Sequence, residues 1–81
     1  MDLEVFRRMV MAAMVAVTPG AAVDVDVDDA GDGQGIAHVS ITVRRAGMTT
    51  HGDFDVALPL DGATAIDAMN NVVRSVLELG A

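Results

Sequence analysis

Closely spaced aspartates are the part of this sequence that most resembles a chemical site. Five of them fall within residues 24–32, and glycines at alternate positions follow. Carboxylates in a glycine-containing loop are typical calcium ligands. An EF-hand loop starting at Asp28, however, would place Ala30 at its third position and Val39 where a bidentate glutamate belongs. The spacing therefore predicts no specific metal site, and we interpret residues 29–35 as a solvated connection.

Two histidines, His38 and His51, are the second candidate for chemistry. They share a predicted strand face with the aspartates, and histidine with aspartate can ligate zinc, but two histidines on neighbouring strands do not define a coordination geometry. The sequence shows no convincing nucleophile–base pair, and the glycines of residues 31–35 lack the spacing of a dinucleotide-binding loop. We therefore expect no metal, no cofactor and no enzymatic activity.

Composition limits the classes of partner. The chain has 81 residues and predicts a single domain over residues 1–81, small enough that a second copy would be a natural source of stability. Twelve acidic residues against five arginines and no lysine give a formal charge of −7, which argues against phosphate backbones and anionic membranes as partners. A basic protein surface fits this charge better. The absence of cysteine excludes disulfides and thiolate metal sites.

Residues 2–18 predict the first helix. They contain no glycine or proline, Pro19 and Gly20 follow them, and apolar residues recur at helical spacing. The predicted core side consists of Leu3, Phe6, Val10, Ala13, Met14 and Val17. From Met9 to Val17 no residue is polar, so the side that should face water is apolar as well. Such a helix is usually buried on all sides.

This surplus of apolar surface predicts self-association. The residues expected at a homodimer interface are Met9, Met11, Ala12, Val15 and Ala16. Residues 1–22 also resemble a secretory signal, because Arg7 and Arg8 precede an apolar run. Asp2 and Glu4 offset those arginines and the run is short, so we favour a structural helix in a cytoplasmic protein. The run is also too short to cross a bilayer.

Three segments of alternating polarity predict β-strands, because a period of two places every second side chain on the same face. The first spans residues 22–28, the second follows the connection to Gly35, and the third ends at Pro59. The residues expected to face inward are Val23, Val25 and Val27 in the first strand, Val39, Ile41 and Val43 in the second, and Phe54, Val56 and Leu58 in the third.

The turn between the second and third strands follows from parity. A two-residue turn at Ala46-Gly47 sets inward residues against inward ones, whereas a three-residue loop sets Val39 against Asp53. We therefore predict an even-numbered loop. The expected cross-strand pairs are Val39 with Phe54, His38 with Asp55 and Thr42 with His51.

Helical spacing returns after Asp61 or Thr64 and ends at Gly80. The expected apolar stripe is Ile66, Met69, Val72, Val73, Val76 and Leu77, and Thr64 with Asp67 resembles a capping box. The predicted order is thus α-β-β-β-α. It describes an α+β fold, an antiparallel three-stranded meander with both helices packed on one face.

The same alternation predicts an acidic outer sheet face. Its carboxylates are those of Asp24, Asp26, Asp28, Asp53 and Asp55. Residues on one face of a strand lie about 7 Å apart, so the array could imitate a row of phosphates for a basic nucleic-acid-binding protein. The alternative is a solvated face with cross-strand ion pairs.

The α-β-β-β-α order over the whole chain resembles the topology of the double-stranded-RNA-binding domain. That resemblance implies RNA contacts from the first helix, the first loop between strands and a lysine cluster that opens the second helix. Here residues 28–35 are acidic, residues 62–67 contain no lysine, and the first helix offers only Arg7 and Arg8. We therefore do not expect direct nucleic-acid binding. In size and charge the chain also resembles small acidic phage inhibitors of the anti-CRISPR type.

The sequence is best explained by a non-enzymatic protein-interaction module that self-associates through its first helix and binds a second protein. The alternative is a phage-type inhibitor that presents the acidic sheet face to a basic nucleic-acid-binding protein. A nucleic-acid binder with the double-stranded-RNA-binding fold ranks third.

Overall fold

The computed structural model describes residues 2–29 and 35–80. Its elements are α1 (Leu3–Val17), β1 (Ala22–Asp29), β2 (Ile36–Arg45), β3 (Met48–Ala57) and α2 (Gly62–Leu79). The strands form one antiparallel sheet in the order β1-β2-β3. Helix α1 packs against β1, α2 packs against β3, and the helices contact each other. The predicted α+β fold and α-β-β-β-α order are confirmed. The glycine-rich part of the expected connection, residues 30–34, lies outside the described residues, as does Met1.

Both helices begin at an aspartate that caps free backbone N–H groups. The Asp2 carboxylate accepts a hydrogen bond from the Glu4 N–H at 2.9 Å. In α2 the cap is reciprocal, because Asp61 accepts from the Thr64 N–H at 3.3 Å and the Thr64 hydroxyl accepts from the Asp61 N–H at 2.9 Å. The predicted capping box of Thr64 with Asp67 was wrong, since Asp61 provides a cap one turn earlier.

The core is aliphatic and lies between the helices and the inner face of the sheet. Helix α1 contributes Phe6, Val10 and Met14, all fully buried, and β2 contributes Val39 and Ile41, also fully buried. These residues belong to one cluster that includes side chains from every strand and both helices. Periodicity predicted Val17 on this side, but Val17, the last residue of α1, is exposed.

Helix α2 is rotated relative to the predicted stripe. Ala65, which is fully buried, faces the core together with Val72, Val73 and Val76, whereas Ile66 and Leu77 are exposed. Ile66 and Leu77 lie eleven positions apart and therefore on the same flank of the helix. Because Ala65, Val72, Val73 and Val76 face the core, the flank that carries Ile66 and Leu77 is turned away from it.

The β2–β3 turn is the two-residue turn that parity predicts. Ala46 and Gly47 both have positive φ, 52° and 79°, as in the type I′ turn whose twist matches a hairpin. All three predicted cross-strand pairs are present: Val39 with Phe54, His38 with Asp55 and Thr42 with His51. The strands extend further than predicted, to Arg45 on one side of the turn and from Met48 on the other.

A glycine in the third strand lets an aromatic ring lie over the backbone. Gly52 is buried opposite Ile41, and a Cβ atom there would lie 2.7 Å from the Phe54 ring and 3.3 Å from the Leu79 side chain. An aromatic side chain covering a glycine in an edge strand is a known device for pinning strand register. It also explains why Phe54 is only half-buried: its ring lies along β3 rather than deep in the core.

Replacing Ala46 with glycine should stabilise the protein. A side chain at positive φ carries a steric penalty that glycine avoids, so Ala46→Gly should raise the free energy of unfolding by about 1 kcal/mol. The measurement is the urea midpoint at unchanged m value. Ala57→Gly is the matched control, because Ala57 ends β3 without positive φ and should lose about 0.5–1 kcal/mol. A loss of stability in Ala46→Gly would contradict the left-handed turn.

Candidate interaction surfaces

The outer face of the sheet brings the five predicted aspartates together. In the order β1, β2, β3, the cross-strand rows are Asp24, Thr42 and His51, then Asp26, Ser40 and Asp53, then Asp28, His38 and Asp55. All five aspartates are exposed. Strand β2 lies in the centre, as expected, so carboxylates flank its polar side chains on both sides. We call the five aspartates of this arrangement the acidic face.

The β3 carboxylates of the acidic face are held by side chains of the outer sheet surface. Asp55 pairs with the Nδ1 atom of His38. Asp53 accepts a hydrogen bond from the Ser40 hydroxyl at 2.7 Å through one oxygen, and contacts Nε2 of His51 at 3.1 Å through the other. Here the sheet forms the cross-strand pairs expected of a solvated face.

Hydrogen bonding favours the charged form of Asp53. The Ser40 hydroxyl, with a smaller contribution from His51, holds the pKa of this carboxyl below its ordinary value. Asp53 therefore remains ionised at a pH where an isolated carboxyl begins to take up a proton. Because its folded pKa is lower than its unfolded pKa, Asp53 stabilises the fold above the unfolded pKa, and this contribution is lost as the pH falls through the folded pKa.

The β1 carboxylates are less constrained. Within the described part of the chain, the side chains of Asp24 and Asp28 form no hydrogen bond or ion pair, and Asp26 interacts electrostatically with Arg7 of α1. Within the described ranges of the sheet, Arg44 is the arginine on this side, and it follows the polar residues of β2. Five carboxylates against one guanidinium leave the outer side of the sheet strongly negative.

The outer side of the sheet contains serine, histidine and aspartate, but not in the order that nucleophilic catalysis needs. In a catalytic triad the histidine lies between the other two and removes the serine proton. Here Ser40 and His51 each bind Asp53, and the second ring nitrogen of His51 faces the Thr42 hydroxyl at 2.9 Å. Ser40 therefore donates to a carboxylate rather than to an imidazole base, and the arrangement does not activate it.

The two histidines contact different carboxylates. His38 contacts Asp55 and His51 contacts Asp53. Among residues 2–29 and 35–80, no three histidine or carboxylate side chains are grouped closely enough to hold a metal ion. The candidate calcium loop that starts at Asp28 runs to Val39, and its residues 30–34 lie outside the described residues.

The second candidate surface is the outward side of α1. Its first turns carry charged side chains. The Glu4 carboxylate forms one ion pair with the Arg7 guanidinium, at 2.6 Å, and another with the Arg8 guanidinium, at 3.2 Å. Hydrogen bonding from Arg7 is the main cause that lowers the pKa of Glu4 to about 2. The second half of the helix has no such groups, and Ala12, Val15 and Ala16 are exposed. The outward side of α1 thus changes from charged to apolar along its length.

The other two residues predicted for self-association lie at the flanks of this surface. Met9 and Met11 are half-buried and pack against the core. Val5, which sequence analysis did not select, is exposed and shares a side with Met9, Ala12 and Ala16. Positions 5, 9, 12 and 16 are four, three and four residues apart, which is the spacing of residues at a helix–helix seam. The sequence therefore contained the pattern that identifies Val5. We call Val5, Met9, Ala12, Val15 and Ala16 the α1 seam.

Exposed apolar side chains also occur on α2 and at the β2–β3 hairpin. They include Ile66, Leu77 and Leu79 on α2 and Met48 beside the turn. None of the helices in the described ranges has the length and apolar character that a bilayer span requires.

No protein-family model matches this sequence, and neither the curated proteins nor the solved structures gave a match. The resemblance to the double-stranded-RNA-binding domain is therefore one of element order and sheet topology.

Removing the Ser40 hydroxyl should raise the pKa of Asp53 toward its ordinary value. The hydroxyl is the main group stabilising that carboxylate, so Ser40→Ala should also remove part of the stability that is lost at acid pH. A carbon-detected NMR titration of the Asp53 carboxyl measures the pKa directly.

Ser75→Ala is the control for this titration. This substitution also removes a hydroxyl, but the Ser75 hydroxyl donates to the Asn71 carbonyl on α2, away from the acidic face. The pKa of Asp53 should be the same as in the unmodified protein. An unchanged Asp53 pKa in Ser40→Ala would contradict the hydrogen bond shown here.

Proposed function

We propose that this protein is a non-enzymatic protein-interaction module that self-associates through the α1 seam and uses its homodimer to bind a second protein. One observation carries the proposal. Helix α1 already covers the core with Phe6, Val10 and Met14, yet its opposite side from Ala12 to Ala16 is apolar and exposed. A helix that faces water on one side normally has polar residues there.

The composition of the α1 seam suits helix–helix packing. Ala12 and Ala16 are small and lie one turn apart, so a second helix can approach the backbone closely, while Val5, Met9 and Val15 supply larger apolar side chains. The ion pairs of Glu4 lie at the N-terminal end, where they leave the apolar half unobstructed. Two copies of the chain would each cover the apolar surface of the other.

Chain length supports the same conclusion. A domain of this size buries a smaller share of its surface than a larger domain does, so added burial at an interface would contribute to its stability. Burial of apolar surface contributes about 25 cal/mol per Å². Association through α1 would add such burial on the helix that already supplies three of the fully buried core residues.

Placing charge on the α1 seam should convert a dimer into a monomer. The double substitution Ala12→Glu and Val15→Glu should weaken dimerisation by at least about 100-fold, because each carboxylate would be buried without a partner. Sedimentation velocity over a wide concentration range measures the dissociation constant, and circular dichroism verifies that the helices remain folded.

Ile66→Glu is the matched control for this test. Ile66 on α2 is 50% exposed and Val15 on α1 is 53% exposed, so both are surface β-branched side chains on a helix. The Ile66 variant should dimerise like the unmodified protein. A monomer mass at every concentration of the unmodified protein would overturn the proposed self-association.

A second candidate function rests on the acidic face. Its β1 carboxylates, apart from the interaction of Asp26 with Arg7, have no partner among the described residues, so their field extends outward rather than being neutralised. We propose as the alternative that the face binds a basic nucleic-acid-binding protein and blocks it, in the manner of the phage inhibitors that the chain resembles in size and charge.

Neutralising the acidic face separates the two candidates. Replacing Asp24, Asp26, Asp53 and Asp55 with asparagine should abolish capture of a basic target and remove its salt dependence if the face is the binding site. The α1 double variant is the comparison, since it leaves the face intact. Undiminished target binding by the asparagine variant would reject the alternative.

A further inference from the structure

A cleft at the hairpin end of the molecule has the features of a small-molecule site. Its volume is about 420 Å³, within the roughly 300–1,000 Å³ range of ligand pockets. Apolar side chains provide most of its lining: Met14 from α1, Val43 and Met48 from the hairpin, and Val76 and Leu77 from α2. It lies on the helix side of the sheet, away from the acidic face.

The cleft exists because both helices end at its edge. Their C-terminal caps, Thr18 and Gly80, are part of its lining. The hairpin continues beyond the covered part of the sheet, so Met48 remains 72% exposed although it faces the inner side. The helices and strands therefore surround an apolar pocket that their own side chains do not fill.

A charged residue interrupts the apolar inner face at this cleft. The inward positions of β2 are apolar from Ala37 to Val43, and the next one is Arg45. The Arg45 side chain forms no ion pair or hydrogen bond with residues 2–29 or 35–80, although the chain contains twelve acidic residues. Thr50, which lies opposite Val43 on β3, also lines the cleft. Within the same described ranges, its hydroxyl donates no hydrogen bond.

The backbone carbonyls at the C-terminal ends of the helices accept hydrogen bonds from their own caps rather than from Arg45 or Thr50. The Met14 carbonyl accepts from the Thr18 N–H and hydroxyl, and the Val76 and Glu78 carbonyls accept from the Gly80 N–H. Glu78, the acid nearest to the cleft along α2, is not part of the lining. Among the described residues, the Arg45 guanidinium and the Thr50 hydroxyl thus have no side-chain or backbone partner beside this apolar cavity.

We propose that this cleft binds a small amphipathic carboxylate, with the carboxylate at Arg45 and an aliphatic tail among Met14, Val76 and Leu77. A guanidinium matches a carboxylate with two parallel hydrogen bonds, and the Thr50 hydroxyl adds a third donor. One cation suits a singly charged group better than a phosphate dianion. The acidic face lies across the sheet, and its field is screened within about 8 Å at physiological salt.

The probe is octanoate, compared with octanol, octylamine and butyrate. Titrations followed by NMR should show octanoate shifting the amides of Arg45, Thr50 and Leu77, with weaker binding of octanol, which lacks the charge, and of butyrate, which lacks the tail. Octylamine carries the opposite charge and should not bind at this cleft. Equal binding of octanoate and octylamine, or no shift with octanoate, would overturn the proposal.

Two neighbouring arginines supply a matched pair of variants. Arg45→Gln and Arg44→Gln remove the same charge from consecutive positions of β2, but only Arg45 lines the cleft. Arg45→Gln should weaken octanoate binding at least about tenfold and leave octanol unchanged, while Arg44→Gln should leave both unchanged. Equal effects of the two substitutions would show a general charge effect and reject the site.

A third variant tests where the aliphatic tail of the ligand binds. Leu77→Asn changes an exposed lining residue, so folding should be preserved, and it should weaken octanoate and octanol alike. The same titration on the α1 double variant should give unaltered octanoate binding, because the cleft and the α1 seam use different sides of the molecule. Retained octanoate affinity in Leu77→Asn would exclude the proposed tail position.

Discussion

The two-residue turn at Ala46-Gly47 is the constraint on which the rest of the structure depends. Side chains on a strand alternate between faces, so one extra residue in this turn would set the aliphatic side chains of β2 against the aspartates of β3. With the turn as it is, Val39 lies opposite Phe54 and His38 opposite Asp55. The core can then form on one side of the sheet, and every charged group of the acidic face is placed on the other.

That separation gives the molecule three chemically different surfaces. The outer side of the sheet is acidic, the exposed half of α1 is apolar, and the hairpin end combines an apolar cleft with Arg45. Aspartates along β1 have a second physical effect, since charged side chains on an edge strand oppose pairing with another sheet. The self-association that we propose would therefore avoid the β1 edge and use α1, whose second half is uncharged.

Short-range patterns in the sequence were enough for the elements and for much of the surface. Alternation of valine with aspartate marked β1, apolar residues at helical spacing marked both helices, and strand parity selected the turn and three correct cross-strand pairs. The five aspartates of the acidic face were found in the same way. Each of these features depends on the period of a single element or on the pairing of adjacent strands, which the order of residues contains.

By itself, then, the sequence determined the order of the elements, their polar and apolar sides and the register of the hairpin. Only the tertiary structure decided how far each helix covers the sheet. Coverage moved Ile66 and Leu77 out of the predicted core, left Val17 and Met48 exposed, and opened the cleft beside Arg45. The physical reason is that the burial of a side chain depends on neighbours distant in sequence, which the period of a single element does not contain.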